Sequence, residues 1–272
     1  MPRSTFKLAD CAGHWALVTG ASAGIGCAYA QQLAARGLHL LLVARSEPPL
    51  RALADELARS HGVRAEVAAL DLTAPGAAAA LARRADALAP SGLRLLVNNA
   101  GCGQWGRFDA APPGRLAEIV QLNCAAVVAL TEALLPALAR AAPAALVNVS
   151  SQAALQPLPY MAVYAASKAF VHSFSLALHE ELAATGVHVQ TLVPGPTETE
   201  FDRRAGAYAS QVSSRGRPED VAAASLAALD GQRALAASVG GLWKQRLAAA
   251  LLPPEFLLRQ VAKIFRPPAD RS

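Results

Sequence analysis

Six apolar runs of strand length, at 15–19, 38–44, 65–70, 93–97, 144–150 and 187–193, alternate with longer segments rich in Ala and Leu. A strand that is apolar along its whole length, not only at alternate positions, is covered on both faces. The intervening segments at 24–36, 47–61, 73–88, 113–140 and 161–185, with a last one at 218–229, are long enough to be the covering helices. The pattern therefore predicts one α/β domain built on a doubly wound parallel sheet, and a short run at 235–239 brings the strand count to seven. Sheets of this kind bind ligands at the carboxyl ends of their strands.

Hydrophobic residues make up 53% and charged residues 17% of the 272 positions, enough for a large core and unlike a disordered chain. No apolar run approaches the roughly 20 residues that span a bilayer. Arg3, Lys7 and Asp10 open the chain without the apolar stretch of a secretory leader, so the expected location is cytoplasmic. Cys11, Cys27, Cys102 and Cys124 are scattered, with no CxxC and no histidine at ligand spacing, which speaks for reduced thiols and against a metal site. Residues 240–272 hold six basic and two acidic residues and so account for +4 of the net charge of +5. The remainder is close to neutral and lacks a basic stripe interleaved with aromatics, so nucleic acid is not an expected partner. The chain divides into a main domain at 1–239 and an extension at 240–272 packed on it.

The first strand runs into Thr19-Gly20-Ala21-Ser22-Ala23-Gly24-Ile25-Gly26. Glycines at a strand-to-helix junction let the backbone turn tightly and approach a pyrophosphate at the helix N-terminus. The second strand ends at Ala44 and Arg45, where an acidic residue would serve the free ribose hydroxyls of NAD. Arg45 instead suits a 2′-phosphate, which favours NADP over NAD; the competing reading is a solvent-facing arginine that opens the next helix. Asp71, after the third strand, could accept from an adenine amino group or, with Thr73, cap the following helix. Asn98-Asn99-Ala100-Gly101 closes the fourth strand and could hold a cofactor and brace the sheet.

Tyr164 and Lys168 stand four apart in a helical segment and share a face. A neighbouring ammonium favours the phenolate and would lower the tyrosine pKa toward use in proton transfer. Taken alone, the pair could equally lie on an exposed helix face.

Together, Thr19–Gly26, Asp71-Leu72-Thr73, Asn98–Gly101, Leu122-Asn123, Val149-Ser150-Ser151, Tyr164–Lys168 and Pro194-Gly195-Pro196-Thr197-Glu198-Thr199 resemble the short-chain dehydrogenase/reductase family over roughly residues 13–230, including a bacterial subgroup of broad reductases with a C-terminal extension. The resemblance implies a Rossmann-type domain and a catalytic tetrad of Asn123, Ser151, Tyr164 and Lys168, with Ser150 as the rival serine. It implies nicotinamide-cofactor contacts from Gly20, Ser22, Ala23, Gly24, Ile25, Gly26, Arg45, Asp71, Leu72, Asn99, Ala100, Gly101, Tyr164, Lys168, Pro194, Gly195, Thr197 and Thr199. It further implies hydride exchange with a carbonyl or secondary alcohol, Asn123 holding a water that links Lys168 to solvent, and a homodimer or homotetramer. Two other functions keep the same fold: a catalytically silent cofactor sensor, and a lyase or epimerase using the same Tyr/Lys chemistry.

The segments expected to meet substrate are 102–108, 152–161 and the irregular stretch 195–216, which is long for a loop and reads as a cover. Trp105, Phe108, Leu155, Leu158 and Met161 would make the pocket apolar. The extension reads as two short amphipathic helices separated by Pro253-Pro254. Packing on the domain or on a partner subunit is the expected use, and contact with an anionic membrane surface the less favoured one.

Overall fold

The computed structural model describes residues 5–206, 215–238, 247 and 251–267. Seven parallel strands form one sheet in the order β3-β2-β1-β4-β5-β6-β7: β1 (Trp15–Thr19), β2 (His39–Ala44), β3 (Ala65–Ala69), β4 (Leu93–Asn98), β5 (Ala144–Val149), β6 (Val187–Val193) and β7 (Leu235–Ala237). Val239, the expected end of β7, lies outside the described residues.

Side chains alternate across each strand, so consecutive residues feed two separate cores. Ala16 and Val18 of β1 join Leu40, Leu42, Val97 and Val147 under α1 (Gly24–Ala34), α2 (Glu47–His61) and α8 (Pro218–Asp230). Trp15 and Leu17 join Leu41, Leu96 and Leu146 under α3 (Ala77–Leu88) and α5 (Ala126–Arg140). Every residue of β1 and β5 is buried, which is why these strands lack the polar alternation of a one-sided sheet. Because β1 pairs with both β2 and β4, the chain direction of winding reverses there and leaves a crevice at the carboxyl ends.

Helix ends follow local chemistry. Pro48 and Pro49 sit in the first turn of α2, where a missing N–H costs little, and Gly62 ends it in the left-handed region at φ 66°. α3 starts later than expected, at Ala77 after a left-handed Gly76, so neither Asp71 nor Thr73 caps it. The expected helix at 113–140 is three pieces: α4 (Arg115–Val120), a π-turn at Gln121–Ala125, and α5. By length and composition this 26-residue run could cross a membrane, contrary to the expectation from uninterrupted apolar runs. Here its apolar side, with Leu130, Leu134 and Leu138, is a core wall of the sheet. α6 (Ala162–Glu181) follows β5, and α7 (Phe201–Ala205) is a short helix within the expected cover.

Of the two helices expected in the extension, the first falls almost wholly outside the described residues. The second is α9 (Pro254–Phe265), whose Val261 is buried and whose Phe256 and Ile264 are exposed.

Candidate active site

The glycine loop is held from the fourth strand. Thr19 Oγ1 accepts from the backbone N–H groups of Asn99 and Ala100 at 2.9 and 3.0 Å, and Asn99 Nδ2 donates back to the carbonyls of Thr19 and Gly20 at 2.9 and 3.3 Å. Asn99 therefore braces the loop with its side chain. A Cβ on Gly20 would fall 2.8 Å from Asn99 Nδ2, and one on Gly26 only 2.2 Å from the Gly20 carbonyl oxygen. Gly24 has φ 56° and abuts the Thr199 methyl, where a Cβ would lie at 2.8 Å. Ala23 precedes α1 without a side-chain cap, which leaves the helix N-terminus to a ligand or solvent. A backbone-lined cradle at an uncapped helix start fits a dinucleotide pyrophosphate. Ser22 is half-buried in the loop, Ile25 packs on the core beneath it, and Leu72 packs on the opposite core.

Arg45 is exposed at the end of β2, its guanidinium 3.4 Å from the Glu118 carboxylate. Such an exposed pair is worth well under ~1 kcal/mol, so Arg45 can turn toward a phosphate. Asp71 accepts from both the N–H and the hydroxyl of Thr73, at 2.9 and 2.8 Å, and these bonds hold its carboxyl below the usual range. It closes a turn there and does not cap α3.

Beyond β6, Pro194 accepts from Gln152 N at 2.9 Å, Gly195 N donates to Ser238 Oγ at 3.3 Å, and Thr197 Oγ1 donates to the Gly195 carbonyl at 2.9 Å. Thr199 Oγ1 accepts from Phe201 N at 3.3 Å, starting α7. A cleft of about 570 Å³ opens beside α1, with Gly24, Gln31, Thr199, Glu198, Glu200, Glu219 and Arg215 in its wall. Neither Tyr164 nor Lys168 lines it, so it is a space beside the glycine loop and not the surroundings of the tyrosine.

Tyr164 and Lys168 are not on an exposed face: they are 9% and 5% exposed. The Tyr164 hydroxyl faces Ser151, which favours its phenolate and whose Oγ accepts from Ala153 N at 3.1 Å. Ser150 is committed elsewhere: its hydroxyl donates to the Lys168 carbonyl at 2.7 Å. The two serines are thereby separated in role. Lys168 Nζ donates to the Val149 carbonyl at 2.8 Å and stands 6.0 Å from the Tyr164 ring centroid.

That placement reverses the expected electrostatics. Burial, not the ammonium, dominates Tyr164 and pushes its pKa up to about 12, with the Ser151 hydroxyl acting against it. Burial likewise draws Lys168 down to about 8. In the protein alone the phenol is a protonated acid at neutral pH.

Asn123 enters the site because the π-turn inserts one extra residue between α4 and α5, a distortion frequent at functional positions. Its Oδ1 accepts from Cys102 N at 3.0 Å, and its Nδ2 donates to the Cys102 carbonyl and to Ser167 Oγ, both at 2.9 Å. Both amide hydrogens are thus used by protein, which leaves one Oδ1 lone pair for a water. Gly101 lies against this group: a Cβ there would be 3.2 Å from Asn123 Oδ1 and 3.3 Å from Lys168 Nζ.

Asn98, expected to brace the sheet, does so through partners that no motif marks, and one further contact was not foreseen. A buried polar chain runs from Asn98 Nδ2 to Asn148 Oδ1 at 2.9 Å and from Asn148 Nδ2 to Ser175 Oγ at 2.9 Å, tying β4 and β5 to the helix that bears Tyr164. Phe201 of α7 lies over Tyr164, with ring centroids 5.0 Å apart. The polar residues inside β4 and β5 were the available signal for the first; nothing in the sequence pointed to the second. Of the aromatics expected in the pocket, Trp105 is buried in the apolar cluster that includes Leu158, Met161 and Tyr164, whereas Phe108 is 71% exposed and outside it.

Residues 14–209 match the family model described as short chain dehydrogenase. Human inactive hydroxysteroid dehydrogenase-like protein 1 is 36% identical over 186 residues, covering 67% of this chain and 55% of that protein. The chain spans about half the length of the curated relatives it matches. A short-chain dehydrogenase from Sphingobium yanoikuyae in complex with NADPH superposes with a TM-score of 0.79 at 32% identity, over 95% of this chain and 99% of that one. The bulky-bulky ketone specific alcohol dehydrogenase of Comamonas testosteroni superposes with a TM-score of 0.75 at 28% identity, over 95% and 97% of the two chains.

Proposed function

This chain belongs to the short-chain dehydrogenase family, and on that premise we propose that it is an NADP(H)-dependent oxidoreductase for the carbonyl or secondary alcohol of a hydrophobic substrate. The observation that carries the reading is the pairing of the half-buried Ser151 hydroxyl with the buried Tyr164 hydroxyl, backed by Lys168 and faced by Leu158, Met161, Trp105 and Phe201. When bound, the nicotinamide supplies or accepts the hydride.

The chain's own part is proton transfer and orientation. In reduction Tyr164 donates its phenolic proton to the substrate oxygen, and its raised pKa keeps that proton in place at neutral pH. Ser151 donates a hydrogen bond to the same oxygen and stabilises the charge that grows there. Lys168, drawn down to about 8, can carry a charge beside the phenol or release a proton within the working range. Asn123 and Gly101 keep the floor beside Lys168 narrow. Arg45 supports NADP over NAD because it is a phosphate-binding cation where NAD would meet a carboxylate.

The relative named inactive gives one reason for a second reading, a fold that binds cofactor without turnover. The intact Ser151–Tyr164–Lys168 group favours catalysis. Following NADPH consumption with ketones and aldehydes of graded size separates the two. Oxidation of NADPH by a hydrophobic ketone supports the enzyme, and cofactor binding without consumption of any carbonyl supports the silent protein.

A further inference from the structure

Trp105 donates two hydrogen bonds, which end on two different helices. Its backbone N–H donates to the carbonyl of Ala205, the last residue of α7, at 2.8 Å. Its indole Nε1–H donates to the carbonyl of Phe265, the last residue of α9, at 2.8 Å. Terminal helix carbonyls have no partner within their own helix, so a buried donor there fixes where each helix ends. Trp105 is 7% exposed and packs in the cluster that contains Tyr164.

The same cluster receives α9. Val261 is buried in it, and Leu257 and Phe265 pack against it together with Phe201 of α7. These three positions are spaced four apart and form one face of the helix. The loop after β5 is tied in as well: Gly106 N donates to the Tyr160 carbonyl at 2.9 Å, and Arg266 Nε donates to the Tyr160 hydroxyl at 3.2 Å. Tyr160 holds a left-handed backbone at φ 67°, uncommon for a residue with a side chain and sustained only where its surroundings enforce it.

We propose that α9 is a wall of the substrate site: Leu257, Val261 and Phe265 set the size of apolar group accepted beside Tyr164, and Trp105 is the positioning residue that fixes this wall to the α7 cover. This inference rests on the reading of the site as one for a hydrophobic carbonyl and names the part of the chain that selects it. The ligand class is an uncharged ketone or alcohol with a bulky aryl or alkyl group, because the inward face of α9 offers hydrocarbon and no charge. Since Phe201 already covers Tyr164, cover and wall must shift for a bulky group to enter, and Trp105 makes them shift together.

The test uses the full chain and a series of ketones from acetone to diaryl ketones, with NADPH. Val261→Ala should raise kcat/KM for the bulkiest ketone accepted, and Val261→Trp should lower it, each by roughly tenfold or more relative to acetone, the scale of a methylene-sized change in a hydrophobic pocket. Trp105→Phe keeps the backbone bond to Ala205 and removes the indole donor. It should raise KM for bulky ketones roughly tenfold, with kcat and NADPH affinity nearly unchanged. An unchanged size profile in both Val261 variants overturns the wall. A second measurement needs no turnover: saturable quenching of Trp105 fluorescence by a diaryl ketone, assigned by its loss in Trp105→Phe. Quenching that Val261→Phe, a bulkier side chain without an indole, weakens tenfold upholds the wall even if no carbonyl is reduced, in which case only the proposed reaction fails. Equal quenching in wild type and Val261→Phe, or none in either, overturns it.

Discussion

The Ser150 hydroxyl donates to the main-chain carbonyl of Lys168 at 2.7 Å, while its neighbour Ser151 faces the Tyr164 hydroxyl. Adjacent serines on one strand end point opposite ways, so one serves the fold and the other the reaction. Ser151→Ala should lower kcat by about 10²-fold or more, on the scale of removing a donor to a developing oxyanion. Ser150→Ala should instead cost about 0.5–1.5 kcal/mol of stability by removing one buried hydrogen bond, since the Lys168 carbonyl lies inside α6 and keeps its helical partner, with kcat changed severalfold at most. Thermal melts and steady-state kinetics on both variants check this; a reversed pattern would exchange the two roles.

Gly26 has no room for a side chain: a Cβ would meet the Gly20 carbonyl oxygen at 2.2 Å, a backbone atom that cannot swing away. Gly26→Ala should therefore distort the loop and weaken NADPH binding by at least about tenfold, a small cost in energy terms. Fluorescence titration of NADPH measures it, and wild-type affinity in that variant would remove the cradle from the account.

Arg45 should matter only to the phosphorylated cofactor. Arg45→Ala should weaken NADP binding by about 10- to 100-fold, the scale of hydrogen bonds to a charged group, and leave NAD binding within about twofold. Equal losses for both cofactors, or tighter binding of NAD to the wild type, would contradict the assignment.

Lys168 makes a pH prediction whose sign is fixed. Its pKa is about 8 in the folded chain against 10.5 for an ordinary lysine, so between those values the unfolded chain binds more protons. Stability should rise with pH across that window and be lost as pH falls through 8, by on the order of 3 kcal/mol if the full shift is expressed. Lys168→Met should flatten the rise. Denaturant unfolding at pH 7.5 and 9.5 reads it, and an identical slope in the variant would assign the effect to other groups.

The parallel sheet was legible because apolar runs at β1, β2 and β5 leave no solvent-facing residues, and this alone separates a two-sided sheet from a one-sided one. The glycine loop was legible because its residues are dictated by backbone clearance. The cover was foreseen only as a segment: Phe201 reaches Tyr164 through chain geometry after Pro194 that no periodicity encodes. The π-turn at Asn123 was hidden because its sequence reads as ordinary helix. The sign of the Tyr164 shift was not legible because spacing tells which groups are near each other but not how deeply both are buried, and burial outweighs the charge.

Tyr164 as proton donor is the central claim, and Tyr164→Phe tests it most directly. The substitution removes one oxygen, keeps the ring in its tilted contact with Phe201, and leaves the glycine cradle untouched. NADPH affinity should stay within about twofold of wild type while turnover of the best ketone falls by at least about 10²-fold, the contribution of a positioned general acid. Turnover near the wild-type rate would contradict the account.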